Sequence, residues 1–492
     1  MRQPIPVILL TLWGLVVFFG LGVASWQYQG DPVLLNYASW LWVEHGQLPY
    51  RDVFETSMPG TFFVHALIMK LGLDGDTAFL ILGLALLGTL GLIGTRILSR
   101  ANLSSGPFFI AAYMPLMLLF GPNSLVQREL IATVFIAAAV LVGFQTPRTI
   151  WIGFLYGLAA LIKPQLALTA PIVVLASILL HGNGLIRGVL ASLMGFLAPL
   201  LATGLWLWSV DALEDFLFLV RAYLPLHIQQ STYHVFLAPD DRLKYLAKEA
   251  VKFGGFWILI AGPVTLTLLQ LWCRKILKRH QHIMIATLTL LCATYSLIPI
   301  LAGQFWNYHY FPFIFFASLS AVACLTFAAK SYKTEIRTIA LLAPAVVLFA
   351  QAAILFDGKL PEKNQRDTQM VLDMEAALAR WLPENGRAQP IDWTKGAVHA
   401  MLHQRTTLAT PFLYDYHFRH HVSGPVTSKL RETFMEALRA TPPDLFLEVP
   451  TRPKMKGLDI SYDWPEFDRF LEDNYTIVEA AEHHVIHLKN ND

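Results

Sequence analysis

Through residue 356 the chain alternates apolar runs with polar turns, and after that its pattern changes. About eleven runs read as membrane spans: 5–26, 76–98, 106–121, 129–145, 150–162, 165–181, 188–210, 252–273, 283–302, 309–328 and 337–356. Most approach the roughly 17–25 residues needed to cross about 30 Å of hydrocarbon. The run 150–162 is short, because about 13 residues rise only about 20 Å. Lys163-Pro164 follows it, so 150–181 reads as two half-depth helices or as one broken span. Such breaks are tolerated where the backbone lines a cavity. Thr61–Leu73 is apolar but too short to span, and reads as a segment along the membrane surface or dipping into it. The first run lacks a clear small-residue cleavage site, which favours a retained helix over a secretion signal.

The expected architecture is an α-helical polytopic membrane domain over 1–356, with a first outer loop at 27–75 that carries surface helices. An extracytoplasmic α/β domain over 357–492 follows. In that tail, Asp367–Leu382 and Lys429–Ala440 have helical amphipathic spacing. Leu445–Val449 reads as a strand and Glu466–Asn474 as a short helix. Tyr475–Glu479 and His484–Leu488 read as a hairpin.

Composition agrees with the membrane reading: 55% of residues are hydrophobic and 15% charged. Soluble proteins carry about 25% charged residues. A net charge of +2 gives no sign of a nucleic-acid partner. Cys273, Cys292 and Cys324 lie in or at the ends of apolar runs, with no disulfide or metal spacing. With the N-terminus in the cytoplasm, the cytoplasmic loops receive Arg96 and Arg100; Arg148; Arg187; Arg274, Lys275, Lys278 and Arg279; and Lys330, Lys333 and Arg337. That bias sets orientation. An odd span count then places the tail outside.

Charge at span ends on one side of a membrane is costly and invites a functional reading. The outward set contains Asp31, Arg51, Asp52, Glu55, Arg128, Glu129, Lys163, Arg221, His227 and His309. Carboxylates beside cations suit a phosphorylated lipid: cations hold the phosphate, and a carboxylate takes a proton from an attacking hydroxyl. Each residue also has a plain structural reading. Asp31 before Pro32 suits a helix cap. Asp52 can satisfy loop amides, and Glu55 can be an exposed loop acid. Arg128-Glu129 can pair at a span end, and Lys163 can snorkel. His309, between Tyr308 and Tyr310, can belong to an interfacial aromatic belt. The adjacent pair His420-His421 lacks metal-ligand spacing.

Asp31 after the first span, PYRDVFE, and a Pro-Gly entering an apolar segment together resemble the first outer loop of the GT-C glycosyltransferases. The bacterial members similar to protein O-mannosyltransferases and to the aminoarabinose (lipid A) transferases are the nearest likeness. GLAALIKPQLAL (157–168) and NYHYFPFIFF (307–316) agree, as do the tail stretches 402–418, 437–449 and 470–489. The resemblance implies inverting transfer of a hexosyl or pentosyl group from a polyprenyl-phosphate sugar. The acceptor is a lipid, glycan or protein at the outer face of a bacterial cytoplasmic (inner) membrane. It places the general base at Asp31 and a second carboxylate at Asp52, for the acceptor or for a divalent Mg or Mn. Two departures stand out. Pro32 follows Asp31 where many members have a second acid, and Glu55-Thr56-Ser57-Met58-Pro59 lacks the transferases' lysine. Phosphate contacts are therefore expected from Arg51, Arg128, Lys163 and His309, and substrate contacts from Glu55, Glu129 and Tyr308. A transporter or flippase of lipid-linked saccharides is the alternative. It would not need the acidic loop or the extra domain, and the inverted repeats common in transporters are not evident.

Overall fold

The structure is a computed structural model that describes residues 4–27, 30–73, 75–103, 106–252, 278–331, 359–393, 395–451 and 454–490. The expected spans 252–273 and 337–356 lie outside these residues. The chain divides into two units, one of Met1–Trp26, Phe79–Gly204 and Leu246–Pro361, the other of Gln27–Ala78, Leu205–Tyr245 and Glu362–Asp492.

The first unit is helical. α1 (Pro4–Gly20) packs on α5 (Gly106–Leu118), and α6 (Arg128–Gln145) on α7 (Thr149–Ile162) and α8 (Ala170–His181). α4 (Asp76–Arg100) begins in the second unit and continues in the first, and α9 (Leu185–Ser209) follows α8. α10 (Arg279–Ala302) packs on α8 and on α11 (Phe311–Ser331). Among the described residues five stretches are long and apolar enough to cross a membrane: α4, α6, Pro164–His181, α9 and α10. Thr11–Gly20, α5 and α7 are shorter apolar helices. About eleven spans were expected. The difference has three sources: these short helices, the two runs outside the described residues, and 309–328, whose helix α11 is not among the five.

α7 stops where Pro164 follows. The residue before a proline is pushed to extended backbone, and Lys163 adopts φ −152°, ψ 95°. The chain then doubles back. Tyr156 and Thr169 share a hydrogen bond of 3.0 Å near the break. At the other end Ser177 Oγ donates to the Thr146 carbonyl at 3.3 Å. α7 and α8 are therefore two antiparallel helices, and the broken-span alternative is set aside.

The second unit gathers three stretches distant in sequence. α2 (Asp31–His45) starts after Gly30, with Pro32 in its first turn, and ends at left-handed Gly46, φ 68°. All ten residues from Pro32 to Leu41 are buried. α3 (Pro59–Lys70) packs against α2. The Tyr37 hydroxyl donates to the Thr406 carbonyl at 2.7 Å, and the Phe54 N–H to the Pro411 carbonyl at 2.8 Å. Within the tail, α12 (Lys359–Trp381), α13 (Ala397–His403), α14 (Pro425–Ala440) and α15 (Pro465–Asn474) accompany one sheet. Its strands are β1 (Arg387–Ile391), β2 (Thr407–Leu408), β3 (Leu445–Glu448), β4 (Tyr475–Ala480) and β5 (Val485–Lys489). The order is β2-β1-β3-β5-β4. β1 pairs parallel with β2 and β3, and the expected hairpin forms β4 and β5.

Candidate active site

In the first unit three helix ends bring charge together. Glu129 lies in the first turn of α6, where the helix dipole favours a carboxylate. Lys163 ends α7. His309 sits in the 3₁₀ turn Asn307–Tyr310 that leads into α11. Lys163 Nζ forms an ion pair with Glu129 Oε1; the lysine side chain is 13% exposed and the glutamate fully buried. His309 Nδ1 donates to the Gln304 carbonyl at 3.0 Å, and Nε2 faces Glu129 Oε1 at 3.4 Å. A neutral ring held this way has no donor left for Glu129, so the contact becomes a hydrogen bond only on the imidazolium. Arg128 acts on His309 electrostatically. The Lys163 ammonium lies 5.8 Å from the centre of the Tyr308 ring. Among the described residues Glu129 Oε2 is buried without a hydrogen-bond partner. With His309 neutral, two cations against one carboxylate leave the cluster at a formal charge of +1.

In the second unit the sequence-predicted residues separate into two groups. Asp31 is the first residue of α2, and Gly30 rather than Asp31 stands at the N-cap. Glu55 is buried, 5% exposed, and its Oε2 accepts the Ser57 N–H at 2.6 Å; it is not an exposed loop acid. Tyr414 feels both. Burial first, then the negative charges of Glu55 and Asp31, push its phenol well above the usual range. It therefore stays a neutral donor beside two carboxylates, and nothing in its local sequence marks it. Behind Glu55, Tyr223 hydrogen-bonds His417 and, at 3.2 Å, His420. Burial holds His420 down to about 2, so this imidazole is neutral.

Asp52 and Arg51 form the other group. They pair at 2.9 Å, 32% and 40% exposed. Asp52 Oδ2 also accepts the Leu48 N–H at 2.8 Å, and Arg51 donates to the Val210 carbonyl at 3.1 Å. Asp52 thus satisfies a loop amide. Arg51, expected with Arg128, Lys163 and His309, belongs to the other unit.

One group of side chains among the described residues could hold a metal, and it lies apart from Asp52 in the sequence. Among the described residues Asp76, His399 and His403 of the second unit present ligand atoms within 4.8 Å of one another. The sequence signal was His-Ala-Met-Leu-His on α13: residues four apart share a helix face. Burial opposes charge on His403, but hydrogen bonds to Asp76 and Glu375 prevail and raise it to about 9.

The chain shares its fold with a solved membrane glycosyltransferase structure, ArnT. No protein-family model matches the chain, and no curated protein matches it in sequence. Among solved structures it is similar to ArnT from Cupriavidus metallidurans bound to undecaprenyl phosphate, with TM-score 0.57 and 13% identity over 98% of this chain and 97% of that one. The apo state of the same enzyme gives TM-score 0.56 at 14% identity. AglB, the oligosaccharyltransferase of Archaeoglobus fulgidus, in complex with an inhibitory peptide and a dolichol-phosphate, is matched at TM-score 0.46 and 10% identity, over 90% of this chain and 69% of that one.

Proposed function

We propose that this chain is an inverting glycosyltransferase. It moves a sugar from a polyprenyl-phosphate donor to an acceptor at the outer face of a bacterial cytoplasmic membrane, with its N-terminus in the cytoplasm and its tail outside. The observation that carries the reading is the Arg128–Glu129–Lys163–His309 cluster, in a chain that shares its fold with a protein solved bound to undecaprenyl phosphate.

The donor is a phosphodiester of charge −1. Departure of polyprenyl phosphate creates a monoester, whose second ionisation lies near pKa 6, so negative charge grows as the bond to the anomeric carbon breaks. Arg128 and Lys163 are assigned to that phosphate, because fixed cations gain most where charge develops; His309 joins them there only as the imidazolium. A phosphate leaves without a general acid, so one base suffices. Asp31 takes the proton of the acceptor hydroxyl as its oxygen bonds to the anomeric carbon. Glu129 Oε2 and Tyr308 are assigned to the sugar. Tyr414 and Glu55 position Asp31. Asp52 and Arg51 are assigned to holding the 48–53 turn.

The test is transfer from labelled polyprenyl-phosphate sugars by purified protein, beside Asp31→Asn. The variant should still bind donor and lose about 10²–10⁴-fold in turnover, the usual contribution of a general base. Full activity in Asp31→Asn would remove the base assignment. If no donor yields product while lipid-linked sugar crosses vesicles containing the protein, transport replaces transfer.

A further inference from the structure

The cluster at Asp76, His399 and His403 takes no part in the chemistry above. His399 and His403 are four apart on α13, and their Nε2 atoms approach to 3.1 Å. His399 Nε2 lies 3.5 Å from one Asp76 oxygen, and His403 Nε2 lies 3.4 Å from the other. His403 Nδ1 is 2.6 Å from Glu375 Oε1 on α12. The Glu375 carboxylate accepts from Nδ1 and turns Nε2 inward, as the nitrogen that would give up its proton to a metal. Histidines that bind metals are oriented by carboxylates in this way.

These separations have a geometric meaning. Zinc binds imidazole nitrogen at about 2.0–2.1 Å and carboxylate oxygen at about 2.0–2.2 Å. Two ligands on a tetrahedral zinc are then about 3.3–3.5 Å apart; the two imidazoles lie slightly closer than that, and each meets its own Asp76 oxygen near that length, so the carboxylate would offer both oxygens to the ion. Two imidazoles suit zinc better than magnesium or calcium, which prefer oxygen ligands. His399 is 3% exposed, so its ring is held in place by packing rather than left to sample solvent.

We propose that His399 Nε2, His403 Nε2 and the Asp76 carboxylate form a divalent zinc site, with Glu375 orienting His403. Asp76 is the first residue of α4 and directly follows the first loop; the two histidines belong to the tail. The ion ties the tail to the start of that helix. Its role is structural and does not depend on the glycosyltransferase reading.

The experiment uses the full chain, purified in detergent, stripped with a chelator and titrated with zinc against a competing dye. Wild type should bind one zinc per chain with micromolar or tighter affinity, and its melting temperature should rise on loading. The double variant His399→Ala/His403→Ala should lose more than a hundredfold in affinity. Glu375→Gln keeps all three ligands, and should lose about ten- to a hundredfold. Its metal-free melting curve checks that it folds. X-ray absorption of the zinc-loaded protein should show two imidazole nitrogens. Two results overturn the proposal: no wild-type binding at tens of micromolar zinc, or equal binding by wild type and the double variant. Either leaves the cluster as an imidazolium held between Asp76 and Glu375.

Discussion

Replacing Lys163 by methionine separates what the Glu129 cluster does for stability from what it does for the donor. Glu129 is fully buried, and Lys163 is its ion-pair partner. Removing one member of a buried pair leaves an uncompensated charge and costs about 3–5 kcal/mol. Glu129→Gln/Lys163→Met removes both charges and should recover most of that loss. Donor affinity should follow charge instead. The cluster carries +1 in wild type, 0 in Lys163→Met and +2 in Glu129→Gln, counting Arg128 and a neutral His309. A hydrogen bond to a charged group contributes about 1.5–3 kcal/mol, or about ten- to a hundredfold in Kd. Lys163→Met should weaken binding of a polyprenyl-phosphate sugar by that factor, while Glu129→Gln should hold or tighten it. The assay is donor binding to detergent-purified protein, with denaturant unfolding run in parallel. If folded Lys163→Met binds donor within threefold of wild type, the phosphate assignment fails. If both single variants weaken binding equally, the cluster acts through structure alone.

Two further predictions concern packing and pH. A Cβ on Gly153 of α7 would lie 1.8 Å from the Ser192 carbonyl oxygen of α9, whereas one on Gly204 meets nothing within 4 Å. Gly153→Ala should cost about 1–3 kcal/mol through overpacking, and Gly204→Ala should be neutral or slightly stabilising; equal melting temperatures would refute the close approach. Burial pushes Asp392 up from 3.8 to about 6, against donation from the Trp393, Lys395 and Ala397 N–H groups. A raised carboxyl favours the folded state fully below pH 3.8, and that contribution is lost as pH rises through about 6. The shift corresponds to about 3 kcal/mol of order-of-magnitude stability. Tail unfolding followed from pH 4 to 7 should show this fall on top of other titrations, and Asp392→Ala should abolish it.

The spans were legible where apolar length alone decides. The run 76–98 became Asp76–Arg100, and 188–210 became Leu185–Ser209. α2 was harder to read as a helix. It is buried on every side through Pro32–Leu41, so its sequence carries no amphipathic stripe. β1 was hidden for the opposite reason: Gln389 and Pro390 argue against a central strand. The fold accommodates Gln389 by hydrogen bonds to the Phe412 carbonyl and from the Thr410 hydroxyl. In the candidate site, Arg128, Glu129, Lys163, Tyr308 and His309 were all named from their positions at span ends. Their mutual neutralisation was not, because the Lys163–Glu129 pair depends on where α7 stops. Tyr414 and Asp76 were not named, since each gains its neighbours only through contacts far along the chain.

The second unit also constrains how often the chain crosses. The first loop, 205–245 and the tail form one body, tied by Tyr37 to Thr406, Phe54 to Pro411 and Tyr223 to His420. Stretches that fold together share one side of a membrane. An even number of passes must therefore separate the first loop from 205–245. α4, α5, α6, α7, α8 and α9 supply six only if α7 and α8 count separately. One broken crossing over 150–181 would leave five and place the two stretches on opposite sides. The contacts favour two: Ser177 and Asn183 return to the Thr146 and Pro147 carbonyls, while Lys163 meets Glu129 at the other end. With this count Arg100, Arg148, Arg187 and Arg279 fall at one end of the helices, and Arg128, Lys163 and His309 at the other. The basic residues that bias orientation are thereby separated from those assigned to the donor phosphate, and a cation bias on one face and an anion site on the other need not compete.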